Sequence, residues 1–204
     1  MTTKIDLRKE HKYLYNPSSK QIAIVDVPEM NFLMIDGTGD PNTSVAYRNA
    51  VEALFAVSYS LKFMVKKGEQ AVDYTVMPLE GLWWVDDMTG FSMNDKQAWK
   101  WTSMIMQPEY VTEELLQEAL KQVRKKKDLP ALSGMRFESF HEGQAAQVLY
   151  FGPYSDEAPT IEGIHRFILE QGRRLRGRHH EIYLSDPRRT AAAKLKTVIR
   201  QPFD

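Results

Sequence analysis

Two hydrophobic periods alternate along the chain. The short apolar run at residues 32–35 reads as a buried strand: it is too brief for a helix and ends in a dense turn signal, Asp36-Gly37-Thr38-Gly39-Asp40-Pro41. Over residues 43–67 the period changes. Val51, Leu54, Phe55, Ser58, Leu61 and Val65 recur at helical spacing and predict one buried face. Lys66, Lys67 and Gly68 close that helix, since cations and a glycine both suit a C-terminal end. Two extended segments follow, at 74–85 and 99–106, and the second ends at Gln107-Pro108.

The same order then returns. Residues 145–151 alternate like a strand and run into the turn Gly152-Pro153-Tyr154-Ser155-Asp156. Thr160 is the expected N-cap of a helix whose face carries Ile161, Ile164, Ile168 and, past a break near Gly172, Leu175. Residues 180–184 predict a strand. Ser185-Asp186-Pro187 opens a short helical turn through Ala193, and residues 195–200 alternate as a last strand before Gln201-Pro202. Strand, glycine turn, helix, strand, strand, Gln-Pro therefore occurs twice, with loops of unequal length.

That spacing is far too long for a solenoid and points to duplication of one unit. A single unit has too little core to be stable alone, whereas two side by side share a larger one and leave a cleft between them. The expected fold is α+β, with two tandem β-α-β-β modules, the first at about 21–110 and the second at about 135–204. Between them, residues 111–127 predict a connecting helix with Thr112 as N-cap and an apolar stripe of Leu116, Ala119, Leu120 and Val123; residues 128–134 form the loop that follows. Residues 1–20 are expected to be an extension packed on the outside.

Composition narrows the function classes. Lys plus Arg and Asp plus Glu are both 27, so the net charge is zero. A nucleic-acid binder shows a basic excess, because neutralising phosphates drives its affinity. The basic runs at 124–127 and 173–178 read as a helix C-terminus and a solvated turn. Cysteine is absent, which excludes disulfides, thiolate nucleophiles and cysteine-held zinc or iron–sulfur sites. No run approaches the ~18 apolar residues of a membrane span, and the charged first ten residues lack the apolar stretch of a signal peptide. The expectation is a cytoplasmic protein without cofactor, membrane, nucleic-acid or obligate protein partner.

The candidate chemistry lies in the strands. Trp83 and Trp84 adjoin each other, and Trp99 and Trp101 share a face of the next strand. Packing accounts for any one of them, since aromatics favour strands. Four in neighbouring strands predict that at least one lines a pocket. Glutamate is depleted in strands, yet Glu80 and Glu181 stand inside two of them, and an inward carboxylate must be hydrogen-bonded or useful. Alternation groups Glu80 with Leu82 and Trp84, and Glu181 with Tyr183. Glu181 is the stronger candidate, because Ile182 and Leu184 supply the core side of its strand; Glu80 is its counterpart in the first half. Tyr154 is placed at the mouth of the cleft, and Tyr59 of the first helix points there or into the core. Adjacent strand residues face opposite ways, so His179, His180 and Glu181 do not form a metal-ligating set. No phosphate loop, nucleophile elbow or dinucleotide fingerprint is present.

These segments resemble the GyrI-like small-molecule-binding family. The likeness rests on residues 147–154, ending in Gly-Pro-Tyr, and on His180-Glu181-Ile182-Tyr183-Leu184-Ser185-Asp186-Pro187, with support from 79–84 and 195–202. The resemblance implies SH2-like modules in a pseudo-two-fold arrangement, a ligand cleft between them, and Glu181 as its central polar group. The stand-alone form fits here, and members of that type include hydrolases that open the cyclopropane ring of flat DNA-alkylating compounds and so detoxify them. On that reading Trp84, Tyr59 and Trp101 form an aromatic cage. Glu181 orients or deprotonates water, and Tyr154 or Tyr183 meets the developing oxyanion, with Glu80 and Tyr183 also binding substrate. The alternative is plain binding, sensing or sequestration of aromatic or cationic drugs.

Overall fold

The computed structural model describes residues 3–86 and 96–204; Met1 and Thr2 of the expected extension lie outside them. In chain order the elements are β1 (Thr3–Ile5), α1 (Leu7–Glu10), α2 (Lys12–Tyr15), β2 (Ala23–Thr38), α3 (Val45–Lys67), β3 (Val72–Tyr74), β4 (Leu79–Trp84), β5 (Lys100–Gln107), α4 (Glu113–Lys126), β6 (Arg136–Phe151), α5 (Ala158–Glu170), β7 (His179–Tyr183) and β8 (Lys196–Pro202). The fold mixes helix and strand. β1 and β3 form a small parallel pair. The other six strands close into an antiparallel barrel in the order β2-β5-β4-β7-β8-β6.

Strand, helix, strand, strand is the sequence of elements in both halves: β2-α3-β4-β5, then β6-α5-β7-β8. Within each half the last strand lies in the middle, and the halves meet along β2–β6 and β4–β7. Both long strands start well before their apolar runs, because 23–34 and 136–147 pair with each other, and outside the apolar runs this ladder is polar and half-exposed.

The helices form where caps and periodicity coincide. The Ser44 hydroxyl accepts from the Tyr47 N–H at the start of α3, and Ala50, Ala53, Leu54, Val57, Leu61 and Val65 make its buried face. Thr112 caps α4 as expected. α5 is capped three residues earlier than expected: Glu157, not Thr160, holds the N-cap position, and Pro159 fits the first turn, where no N–H is needed. It stops before Gly172, whose φ of +71° suits a glycine. Leu175 therefore leaves the helix face and bridges to Phe203. The helical turn expected through Ala193 is a tight turn on Asp186 followed by a short 3₁₀ segment, Ala192–Lys194.

Pleating gives the barrel wall two faces. Ile161, Ile164 and Ile168 of α5 pack on Val148 and Ile199, and Ile199 pairs with Glu181. Tyr47 of α3 packs on Trp83 and Trp101. Both helices therefore cover the face that carries Trp83, Trp101 and Glu181. The opposite face points into the barrel. There Leu82, Met104, Ile182 and Val198 pack around buried ions.

Those ions form one chain. Tyr15 donates to Glu80 at 2.8 Å; His180 bridges Glu80 and Glu142 at 3.0 Å; Arg200 binds Glu142 at 3.0 Å, Gln147 at 2.9 Å and the Leu14 carbonyl at 3.1 Å. Glu142 and Gln147, five apart, both reach Arg200 because Gly143 between them takes φ +71° and breaks the alternation. The N-terminal segment is thus not simply laid on the outside: α2 carries Leu14 and Tyr15 into full burial at the barrel.

Candidate functional site

β7 places Glu181 on the helix-covered face. Its neighbours across the ladder are Gly81 of β4 and Ile199 of β8. Above Gly81 the Trp83 ring folds back, and its indole N–H donates to the Tyr183 hydroxyl at 2.9 Å. A Cβ on Gly81 would lie 2.7 Å from that nitrogen and 3.1 Å from the Tyr183 oxygen, so only glycine admits this closure. Tyr154 lies edge-on to Tyr183 with ring centroids 5.5 Å apart, Tyr47 meets Trp101 at 5.1 Å and Trp83 at 5.8 Å, and Trp99 meets Trp83 at 5.5 Å. The His179 imidazole hydrogen-bonds Glu181 at 3.1 Å.

A second carboxyl joins from α5. Glu157 is 1% exposed, and Glu181 itself is 8% exposed. Burial, then the neighbouring Glu181 charge, pushes the Glu157 carboxyl up to about 9. The tyrosines respond to the same charges. Burial first and Glu157 and Glu181 next push Tyr154 up to about 12. Burial and then Glu181 raise Tyr47 and Tyr183 well above the usual phenol range.

The two faces of the wall differ in satisfaction. Inside the barrel, Glu80, Glu142, His180, Arg200 and Gln147 all have hydrogen-bond partners. On the Glu181 face, Trp101 Nε1, His179 Nδ1 and Glu157 Oε1 are buried with no hydrogen-bond partner among the described residues.

The structure brings together Glu181, Tyr154 and Tyr183, and sets Trp101 on the same face two strands away, its ring over Gly37 and against Tyr47. It separates the other three. Glu80 pairs with Ile182, not Glu181, and so points into the barrel. Trp84 shares the parity of Glu80 and is stacked under the Arg178 guanidinium at 3.7 Å. Tyr59 is 48% exposed and packs on Phe55. It lines a groove of about 750 Å³ between α3 and α4 that does not include Glu181. Trp83, Tyr47, Glu157 and His179 take their places. Among the described residues no group of three or more His, Cys, Asp or Glu is placed to hold a metal ion, and no helix is long and apolar enough to cross a membrane.

Buried carboxyls among aromatic side chains make the Glu181 face the candidate site. The chain belongs to the GyrI-like small molecule binding domain family, whose pattern matches residues 20–203. Among solved structures, an uncharacterized conserved protein from Listeria innocua is 42% identical with a TM-score of 0.90, the match covering 98% of this chain and 100% of that one. A hydrolase from Listeria innocua is 41% identical with a TM-score of 0.88, covering 99% and 100%. The EcmrR C-terminal domain shares the fold alone, at 12% identity, a TM-score of 0.56 and coverage of 90% and 97%. No curated protein matches the chain.

Proposed function

We propose that this protein is a hydrolase that opens the cyclopropane ring of flat, conjugated alkylating compounds by adding water. The observation that carries the reading is a buried Glu181 set beside Glu157 among the rings of Tyr47, Trp83, Tyr154 and Tyr183. Trp83, Trp101 and Tyr47 supply ring faces and edges to hold a planar substrate, in place of Trp84 and Tyr59. Glu181 accepts a proton from the attacking water, and His179, bonded to it, fixes its orientation. Tyr183 accepts from Trp83 and lies against Glu181, which leaves Tyr154 as the better-placed donor to an oxyanion developing on the substrate. The 41% identical Listeria protein called a hydrolase supports the reaction class. In this reading the two halves are duplicated SH2-like modules related by a pseudo-two-fold axis. The protein acts in the cytoplasm, removing alkylators before they reach DNA, and needs no cofactor, nucleic-acid or protein partner.

The test is incubation with cyclopropane-bearing alkylators, read by mass spectrometry for addition of one water. Glu181→Gln is expected to lower turnover by at least about a hundredfold while ligand affinity stays within about tenfold. Unchanged turnover sinks the assignment. One observation favours a second reading, binding without turnover: carboxyls beneath aromatic rings also suit a flat cation. There Glu181→Gln weakens cationic dyes most and no product forms.

A further inference from the structure

Three features outside the Glu181 chemistry stand out: the ion chain inside the barrel, the groove between α3 and α4, and the second buried carboxyl. The ion chain is fully partnered, and nothing in the structure shows what covers the groove. The second carboxyl goes further.

Glu157 sits at the N-cap of α5, yet its side chain makes no cap hydrogen bond. That is unusual for an acid there, since a carboxylate at a helix start is normally satisfied by the first-turn N–H groups. It is instead buried against the ligand face, with Oε1 unpartnered. The groups that face it are Glu181 and Tyr183 of β7, Thr197 of β8, Tyr154 of the preceding turn, and Lys96 before β5. Only Lys96 among these brings positive charge. Two carboxyls pressed together in a dry place do not both ionise.

We propose that Glu157 is the second catalytic carboxyl of the site, the acid that protonates the substrate oxygen while Glu181 takes the proton from water. The inference rests on the hydrolase reading. In the step, a water lone pair forms a C–O bond to a cyclopropane carbon, and the water proton goes to Glu181. The cyclopropane C–C bond breaks, its electron pair passes through the conjugated ring to the carbonyl oxygen, and that oxygen takes the Glu157 proton to become a phenol. The sum is addition of water. One proton has moved from Glu157 to Glu181, and transfer back between the adjacent carboxyls resets the pair. The raised Glu157 pKa keeps this proton in place at neutral pH.

The test uses the full chain, wild type and Glu157→Gln, with one cyclopropane alkylator as probe. The variant keeps the shape but has no acidic proton. Its kcat is expected to fall by at least about a hundredfold with KM nearly unchanged, and the loss of activity that wild type shows toward pH 9–10 is expected to vanish from its profile. Infrared difference spectra of the unliganded protein give a readout independent of turnover. Wild type should show a protonated carboxyl band at pH 7 that disappears at high pH and is absent in the variant. A variant as fast as wild type, or a wild type without that band, overturns the inference while leaving hydrolysis intact. A wild type that adds water to no probe overturns the hydrolase reading, and the acid role with it.

Discussion

At the residue scale, the site turns on which of two adjacent tryptophans faces Glu181. Trp83→Ala is expected to weaken binding of a planar aromatic ligand by at least about tenfold, since a buried aromatic contact of this kind is worth roughly 1–3 kcal/mol. Trp84→Ala removes a ring that stacks under Arg178 and packs on the core away from Glu181, and should leave that affinity unchanged. Fluorescence titration with the same ligand separates the two, and equal losses would refute the face assignment. Alternation correctly paired Glu181 with Tyr183, but it could not say whether Trp83 or Trp84 shared their face. That choice is made by cross-strand register, Gly81 beside Glu181, which no single strand records. Glu157 stayed hidden for another reason. An acid at a helix start looks like an ordinary partner of the helix dipole, and only burial beside Glu181 reveals otherwise.

At the element scale, the order of strands and helices was legible because periodicity and turn chemistry agree over residues 32–107 and 145–202. The N-terminal segment was not, since a four-residue helix among charged residues carries no periodic signal. Yet α2 completes the ion chain in the barrel. Tyr15→Phe leaves one Glu80 oxygen without its donor and is expected to cost about 1–3 kcal/mol in denaturant unfolding. Arg200→Met strands Glu142 against His180 alone and is expected to cost more, about 3–5 kcal/mol. Because this chain lies on the face away from Glu181, both variants, once folded, should bind ligand as wild type does. Altered affinity in folded Tyr15→Phe would mean that the two faces are coupled.

At the scale of the whole molecule, the buried ionisable groups set how stability depends on pH. In the barrel, burial pulls His180 down, but Glu142 and Glu80 outweigh it and hold the imidazole up at about 9. Burial likewise pushes Glu142 up, and His180 and Arg200 outweigh that to hold it at about 2. His180 binds its proton more tightly folded than unfolded, so its contribution is complete below about 6.5 and is lost as pH rises toward 9. Glu142 binds its proton more weakly when folded, so its contribution is complete above about 4.5 and is lost as pH falls toward 2. Glu157, raised to about 9, acts with the sign of His180: the fold loses stability as pH climbs from about 4.5, where the unfolded acid ionises, to about 9. His180 and Glu157 therefore add on the alkaline side, each by at most about 1.4 kcal/mol per pH unit. Thermal unfolding should show an optimum near pH 5, with Tm falling steadily to pH 9. Glu157→Gln removes one of the two groups without touching the barrel, so its Tm should exceed that of wild type at pH 8 and fall less steeply. Parallel curves for the two proteins would show that Glu157 ionises folded as readily as unfolded, and would remove the proton on which its catalytic role depends.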